Sequence, residues 1–128
     1  MERKIDRAFA LGRFSRVDRL LEVGCTAGDY TMKLARDGYQ VVGLDISPES
    51  IKAAQILAQD LGLPHTEFIA ADAEDMRGIP DNSFDGAFSF STFHYVPDPV
   101  RSQGEIQRLL KPGGRAVVDF PKQVLPLV

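Results

Sequence analysis

The chain has 128 residues, of which 44% are hydrophobic and 26% are charged, values typical of a single soluble globular domain. Fifteen Lys and Arg residues against eighteen Asp and Glu residues give a net charge of −3, which argues against a nucleic-acid-binding protein. The single Cys, the lack of an apolar run of about 20 residues and the polar N-terminus predict a cytoplasmic protein without a membrane span or signal peptide.

The charge is unevenly distributed along the sequence. Residues 1–19 contain six basic and three acidic residues, whereas residues 67–85 contain six acidic residues and one basic residue, Arg77. We interpret the first segment as a solvated basic helix that packs near an acidic surface, rather than as a binding patch.

Apolar runs typical of strands alternate with patterns typical of helices. The strands are predicted at residues 19–23, 40–45, 67–71, 85–90 and 116–120. This alternation predicts an α/β fold with a doubly wound, mostly parallel sheet of about five strands flanked by helices. In such sheets, ligands bind at the carboxyl ends of the strands, so the residues that follow each strand are the candidates for function.

Three helices are predicted between these strands. The first covers residues 29–37, and the third covers residues 99–110 and stops at the Pro-Gly-Gly sequence of residues 112–114. The second begins with Ser47 as N-cap and Pro48 as first helical residue, and ends at Gly62. Its buried stripe is predicted at Ile51, Ala54, Ala58 and Leu61.

The loop at residues 24–28 follows the first strand and contains two glycines that allow the backbone to approach a ligand. A dinucleotide fingerprint needs glycine at positions 24, 26 and 29. Thr26 and Asp29 occupy two of these positions, which disfavours nicotinamide binding.

Two acidic residues follow the next strands. Asp45 ends the second strand, where a carboxylate accepts both hydroxyl hydrogens of a ribose or serves as a turn or N-cap residue. We favour the ribose, because Ser47 already resembles the cap. Asp72 and Ala73 follow the third strand and either meet the exocyclic amine and ring of a base or belong to a solvated loop.

Four segments together resemble the class I S-adenosylmethionine-dependent methyltransferases, in particular the small-molecule enzymes of the ubiquinone and menaquinone type. They cover residues 20–118 in the order and spacing of that family. The segments are LLEVGCTAGDYTMKLARDGYQVVGLDISPESI, FIAADAEDM, IPDNSFDGAFSFSTFHYVPDP and EIQRLLKPGGRAVV. The resemblance implies S-adenosylmethionine as cofactor and methyl transfer to a small-molecule acceptor.

The resemblance also implies a cofactor site at the ends of four strands: Glu22, Gly24, Cys25, Thr26, Gly28, Asp45, Ile46, Asp72, Ala73 and Ser89. By this resemblance Glu22 lies near the methionine amino group, the loop of residues 24–28 lines the methionine side, and Asp45 binds the ribose hydroxyls. Ile46 packs on the adenine, residues 72–73 lie at its edge, and Ser89 faces the sulfonium. Thr26 replaces a family glycine, so its side chain either turns away from the cofactor or crowds it.

The catalytic residues are left unknown, with His94 as a weak candidate for substrate contact or a base. The favoured alternative is a packed loop histidine beside the pocket. The aromatic residues around it are interpreted as core and pocket wall: Phe88, Phe90, Phe93 and Tyr95. No metal site is predicted, because His65 and Cys25 do not form a recognisable ligand set.

The length leaves two classes of function open. Residues 1–128 are predicted to form one domain with its core at residues 18–120, without the C-terminal hairpin that the family's sheet usually has. The fifth strand is then an exposed edge, so we expect a homodimer that buries it. The chain is either an active methyltransferase or a cofactor-binding module without catalysis, and a nicotinamide-dependent oxidoreductase is a distant third alternative.

Overall fold

The computed structural model describes residues 2–90, 92–93 and 95–119. Its helices and strands follow one another as α1 (Glu2–Gly12), β1 (Arg19–Val23), α2 (Asp29–Arg36), β2 (Gln40–Asp45), α3 (Pro48–Asp60), β3 (Glu67–Ala70), β4 (Phe84–Ser89), α4 (Pro99–Leu109) and β5 (Leu110–Val118). Within this described part, no helix is long and apolar enough to cross a membrane.

The strands form one parallel sheet in the order β3-β2-β1-β4-β5. The predicted α/β fold with a five-stranded parallel sheet is confirmed. The chain moves outward from β1 to β3 and then returns to place β4 on the other side of β1. The carboxyl ends of β1 and β4 therefore flank the switch point at which folds of this type bind ligands.

The central strand β1 is buried on both faces of the sheet. Leu20 packs in one apolar cluster with Ile5 and Leu34, while its neighbour Leu21 packs in another with Ile106 and Leu109. Successive side chains of a strand point to opposite faces, so α1 and α2 cover one face and α4 covers the other. This two-sided burial explains why the apolar residues Leu20 and Leu21 follow each other directly in β1.

Helix α3 begins as predicted. The Ser47 hydroxyl oxygen accepts a hydrogen bond from the Ser50 amide at 3.2 Å, and Pro48 is the first helical residue. Most of the predicted stripe is buried, namely Ile51, Ala54 and Ala58. The prediction was wrong for Leu61, which is 45% exposed because it caps the helix beyond its last packed turn.

Strand β5 begins at Leu110 and not at residue 116 as predicted, and α4 correspondingly ends at Leu109. The Pro-Gly-Gly sequence was expected to separate the helix from the strand, but it lies inside the strand. There the register with β4 shifts between Phe84 and Gly86. In the sheet formed by the described residues β5 is an edge strand, and an edge strand tolerates such a bulge and a proline. The predicted last residue of this strand, Phe120, lies outside the described residues.

Helix α1 is more than a solvated basic helix. Ile5 and Ala8 are buried, and the Phe9 ring lies 5.2 Å from the Phe14 ring in an edge-to-face arrangement. At its N-terminal part, Lys4 forms an ion pair of 3.3 Å with Asp119, the residue after β5. The beginning of α1 is thereby held at the carboxyl edge of the sheet.

Candidate functional site

A cavity of about 680 Å³ lies at the carboxyl ends of the strands. This volume is in the range of sites for small molecules and cofactors. Most of the residues predicted to bind a cofactor line it: Glu22, Gly24, Thr26, Asp45, Ile46, Asp72 and Ala73. The structure thus brings together residues from the ends of β1, β2 and β3 that are up to 51 positions apart in the sequence.

Glu22 is a buried carboxylate in the cavity wall. Its side chain is at the end of β1 and the residue is only 2% exposed. The Thr31 hydroxyl, in the first turn of α2, donates a hydrogen bond to Glu22 Oε1 at 2.6 Å. Burial raises the pKa of Glu22 to about 7, and the charges of Asp29 and Asp45 act in the same direction, while the Thr31 hydrogen bonds oppose them. A cationic group in the cavity would stabilise the charged form of Glu22 and so lower its pKa again.

Gly24 allows the loop after β1 to lie close to Thr92, in the segment that follows β4. Its φ of +79° favours glycine, and a Cβ atom there would lie 1.9 Å from the Thr92 hydroxyl oxygen. The Gly24 amide donates to the Leu44 carbonyl at 2.7 Å, which joins the loop to the end of β2. Only a residue without a side chain keeps this part of the cavity open.

Cys25 and Gly28 do not line the cavity. Cys25 is 2% exposed, and burial raises the pKa of its thiol to about 12, with the charges of Glu22 and Asp45 adding to the effect. Such a thiol is a poor nucleophile at neutral pH. Gly28 is the N-cap of α2 with φ +87°, and a Cβ atom there would meet the Phe68 ring at 2.7 Å. Both residues support the conformation of the loop and do not belong to the cavity wall.

Thr26 lines the cavity in a left-handed conformation with φ +50°. Its hydroxyl donates to the Cys25 carbonyl at 2.7 Å, and its amide donates to Asp45 Oδ1 at 3.2 Å. The hydroxyl is therefore directed at the chain's own backbone. The positive φ also explains why glycine is typical at this position.

Asp45 connects two loops at the end of β2. Its Oδ1 accepts the hydrogen bond from Thr26, and its Oδ2 accepts one from the Ser47 amide at 3.1 Å. Ser47, and not Asp45, caps α3, but the hydrogen bond from the Ser47 amide makes Asp45 a turn residue, which the sequence had left open as an alternative to ribose binding. The next residue, Ile46, is 67% exposed and lines the cavity.

Asp72 lies exposed in the loop after β3, as the solvated-loop alternative predicts, and its contact with a base stays a prediction. It lines the cavity, and its Oδ1 accepts a hydrogen bond from the Glu74 amide at 2.8 Å, which closes a local turn. Glu74 in turn accepts from the Asp98 amide at 2.9 Å, through Oε2. These bonds join the loop after β3 to the segment that leads into α4.

Ser89 lies beneath the cavity and not in its wall. It is fully buried, and its hydroxyl donates to the Val23 carbonyl at 2.8 Å, between the ends of β4 and β1. The catalytic candidate His94 lies outside the described residues. Among the aromatic residues interpreted as core and pocket wall, Phe88 and Phe93 are buried, while Phe90 and Tyr95 line the cavity.

Sequence reasoning missed several residues of the site. The hydrogen bond between Thr31 and Glu22 could not be predicted, because the two residues are nine positions apart and no sequence motif links them. Lys4 was assigned to a solvated helix, although it lines the cavity. Tyr30 of α2, which was not predicted as a site residue, lines the cavity too. The available signal for Lys4 was the excess of basic residues in the first segment.

The residues of this cavity fit a nucleoside with a charged tail. Asp45 and Asp72 offer acceptors for hydroxyl and amine hydrogens, Leu44 and Ile46 offer apolar surface for a base, and the buried Glu22 offers a partner for an ammonium group. The parallel sheet and the position of the cavity at its switch point define a Rossmann-like, nucleotide-cofactor-binding domain.

Comparison with known proteins gives the family. Residues 21–118 match the family described as Methyltransferase domain. The chain belongs to this family, the class I S-adenosylmethionine-dependent methyltransferases, as the resemblance predicted.

Individual relatives differ in their named reactions. The chain is 34% identical to a ubiquinone biosynthesis O-methyltransferase of Paracidovorax citrulli over 96 residues, 75% of this chain and 40% of the relative. It is also 34% identical to an S-adenosyl-L-methionine-dependent Diels-Alderase of Talaromyces variabilis over 126 residues, 96% of this chain and 42% of the relative. The chain therefore spans less than half the length of these relatives.

Solved structures give the same picture. The [4+2]-cyclase SpnF superposes with a TM-score of 0.82 at 34% identity, over 91% of this chain and 43% of that one. An S-adenosylmethionine-dependent methyltransferase from Methanosarcina mazei superposes with a TM-score of 0.77 at 32% identity, over 94% of this chain and 58% of that one.

Proposed function

We propose that this chain binds S-adenosylmethionine and takes part in methyl transfer to a small-molecule acceptor. The observation that carries the proposal is the pair of carboxylates, Glu22 and Asp45, at neighbouring strand ends in the wall of one cavity. In the proposal Asp45 accepts the ribose hydroxyls, Glu22 accepts hydrogens from the methionine ammonium, and Ile46 covers the adenine. Asp72 and Ala73 lie at the adenine edge.

The cofactor supplies an electrophilic methyl group on a sulfonium, so the protein's main task is to hold the acceptor in line with it. The chain's residues serve this task by excluding water and fixing geometry. Gly24 keeps the backbone close to the cavity, and Ser89 fixes the end of β4 against β1 through the Val23 carbonyl. Apolar and aromatic surface on the β4 side, including Phe90, suits a charge that disappears during transfer.

Binding of S-adenosylhomocysteine, measured by isothermal titration calorimetry, tests the cofactor part. Asp45→Asn removes a charge-assisted hydrogen-bond acceptor and is expected to weaken binding about tenfold or more. The matched control Asp60→Asn changes an exposed carboxylate at the end of α3, away from the cavity lining, and is expected to bind like the wild type. Wild-type protein that binds neither S-adenosylmethionine nor its demethylated product would refute the proposal.

A second candidate reaction is a [4+2] cyclisation in the same domain. It is favoured by the two relatives named as a Diels-Alderase and a [4+2]-cyclase, both 34% identical to this chain. A methyl-release assay on pooled metabolites separates the two reactions, because cyclisation consumes no methyl group. Neither the binding module without catalysis nor the nicotinamide oxidoreductase gains support from the comparisons.

We also propose self-association through β5. This strand is at the sheet edge and pairs with β4 on one side in the described sheet. An open edge of this kind is a template for a further strand. Light scattering at high protein concentration is expected to give a dimer, and a monomer would refute the idea. The cytoplasmic location stays a prediction.

A further inference from the structure

The cavity wall contains two segments that are far apart in the sequence. Residues 71–74 follow β3, and residues 95–97 lead into α4. The first segment carries Asp72 and Ala73, which the proposed function places at the adenine edge. In the sheet, β2 and β1 lie between β3 and β4, so backbone pairing does not join the two segments.

Glu74 forms hydrogen bonds to both sides of this gap. Its amide donates to Asp72 Oδ1 at 2.8 Å, and its Oε2 accepts from the Asp98 amide at 2.9 Å. Its carbonyl oxygen accepts from Arg101 Nε at 3.0 Å. One residue thus connects the Asp72 carboxylate with the first turn of α4, directly after residues 95–97.

The sequence of the first turn of α4 explains why Glu74 is bound there. Asp98 is the N-cap of this helix, and its side chain accepts from the Arg101 amide at 3.1 Å. In a capping box, the residue three positions after the N-cap is Glu or Gln, and its side chain accepts the hydrogen of the N-cap amide. Here that residue is Arg101, whose side chain has no acceptor, so Glu74 supplies the acceptor from another loop. The helix dipole also favours a carboxylate at this end of α4.

The rest of the loop after β3 is fixed to the same helix. Arg108 Nε forms an ion pair with Glu105 Oε1 at 2.9 Å, and the Arg108 guanidinium donates to the carbonyls of Met76 and Ile79, each at 2.8 Å. These bonds hold a part of the loop that does not line the cavity, whereas the Glu74 bonds hold the part that does.

We infer that Glu74 is a positioning residue that couples the two segments, so that a ligand at Asp72 also fixes the cavity wall of residues 95–97. Glu74 needs no contact with the reacting atoms for this role, since it acts through Asp72 and Asp98. The coupling is reciprocal, because a ligand that orders one segment lowers the cost of ordering the other. This role of Glu74 rests on the proposed function, which places an adenine beside Asp72.

Amide hydrogen exchange measured by NMR, with adenosine as the ligand, tests the coupling. Adenosine lacks the amino-acid tail and therefore probes the nucleoside end alone. If the two segments open together, adenosine at about ten times its Kd slows exchange of the Tyr95, Val96 and Asp98 amides in wild-type protein about tenfold. In Glu74→Ala the segments are expected to open independently, and the response is expected to be below about twofold.

Three further variants separate coupling from a merely structural role. Glu74→Gln keeps an oxygen that can accept from the Asp98 amide and is expected to recover most of the response. Arg101→Gln removes the guanidinium donor and places the capping-box acceptor on α4 itself, so it competes with Glu74 for the Asp98 amide without weakening the cap. Its response is expected to fall below about threefold at unchanged thermal stability. The control Glu67→Ala removes an exposed carboxylate outside the cavity lining, paired with Arg19 at 3.3 Å, and is expected to keep the wild-type response.

A response of about tenfold that persists in Glu74→Ala, or in Arg101→Gln where Glu74→Ala does not fold, would overturn the inference. Adenosine would then protect residues 95–98 by direct contact. Wild-type protein that binds S-adenosylhomocysteine but shows no slower exchange at these residues with adenosine overturns the coupling alone. Wild-type protein that binds neither S-adenosylhomocysteine nor adenosine refutes the proposed function itself, and the role of Glu74 with it.

Discussion

The buried Glu22 carboxylate is expected to make this fold less stable as the pH rises. Burial raises its pKa from an ordinary value of 4.5 to about 7 in the folded protein. Between these two values the folded protein holds a proton that the unfolded chain has released. The free energy of unfolding therefore falls across this window, and the full stability contribution is present only below it.

The size of the effect follows from the same two values. Each pKa unit corresponds to about 1.4 kcal/mol, so the folded protein loses on the order of 3 kcal/mol between pH 4.5 and pH 8 through this group. The loss is a large fraction of the ordinary stability of a domain, about 5–15 kcal/mol. Little solvent screening reduces it, because Glu22 is only 2% exposed.

Urea denaturation of wild-type protein and Glu22→Gln at several pH values between 4.5 and 8 measures this contribution. The glutamine can still accept the Thr31 hydrogen bond but has no proton to lose, so its stability is expected to lack the fall. The control Glu49→Gln changes an exposed acid in the first turn of α3 and is expected to keep the wild-type pH profile. Parallel profiles for wild type and Glu22→Gln would show that the Glu22 carboxylate is not desolvated as described.

Three further variants test the loop and the core. Gly24→Ala combines a positive φ with a Cβ only 1.9 Å from the Thr92 hydroxyl, so we expect a loss of at least about 2 kcal/mol in urea denaturation. A neutral effect would mean that the loop is not so constrained. The Thr26 hydroxyl is directed at the Cys25 carbonyl, so Thr26→Gly is expected to keep the S-adenosylhomocysteine affinity, measured by calorimetry, within about twofold of wild type. The variant removes left-handed strain but also loses this hydrogen bond, so its stability in urea denaturation is expected to stay within about 1 kcal/mol of wild type. Tighter binding would show that the threonine crowds the cofactor. Ser102→Ala removes a buried hydroxyl that has no hydrogen-bond partner among the described residues, so it is expected to be neutral or stabilising by up to about 1 kcal/mol, which thermal unfolding checks. A loss above that value would show that the hydroxyl is bonded.

Much of the sheet was predictable because its central strands are buried on both faces. The near-continuous apolar run of β2 marks such a strand without any knowledge of its neighbours, and the adjacent Leu20 and Leu21 do the same in β1. The start of β5 was not predictable in the same way. The Pro-Gly-Gly sequence normally ends an element, and it is tolerated at residues 112–114 only because the strand is at the edge and shifts its register against β4.

The candidate site divides in a similar manner. Glu22 and Asp45 were predictable as cavity residues because each comes at the carboxyl end of a parallel strand, where the fold itself forms the cavity. The hydrogen bonds at these residues were not predictable. Thr31 reaches Glu22 only because α2 packs back along β1, and the Ser89 hydroxyl turns to Val23 because β4 lies beside β1.

The position of the Lys4 side chain at the cavity could not be predicted from the sequence, because it depends on the order of the strands. On sequence alone, a basic residue of an amphipathic surface helix is a solvated charge, and that interpretation is sound for most of α1. Lys4 and Asp119 are separated by 115 positions, and they meet because β5 is placed at the sheet edge beside α1. If the strand order were different, the same lysine would have no cavity beside it. The place of Lys4 in the cavity wall therefore follows from the topology and not from the sequence pattern around it.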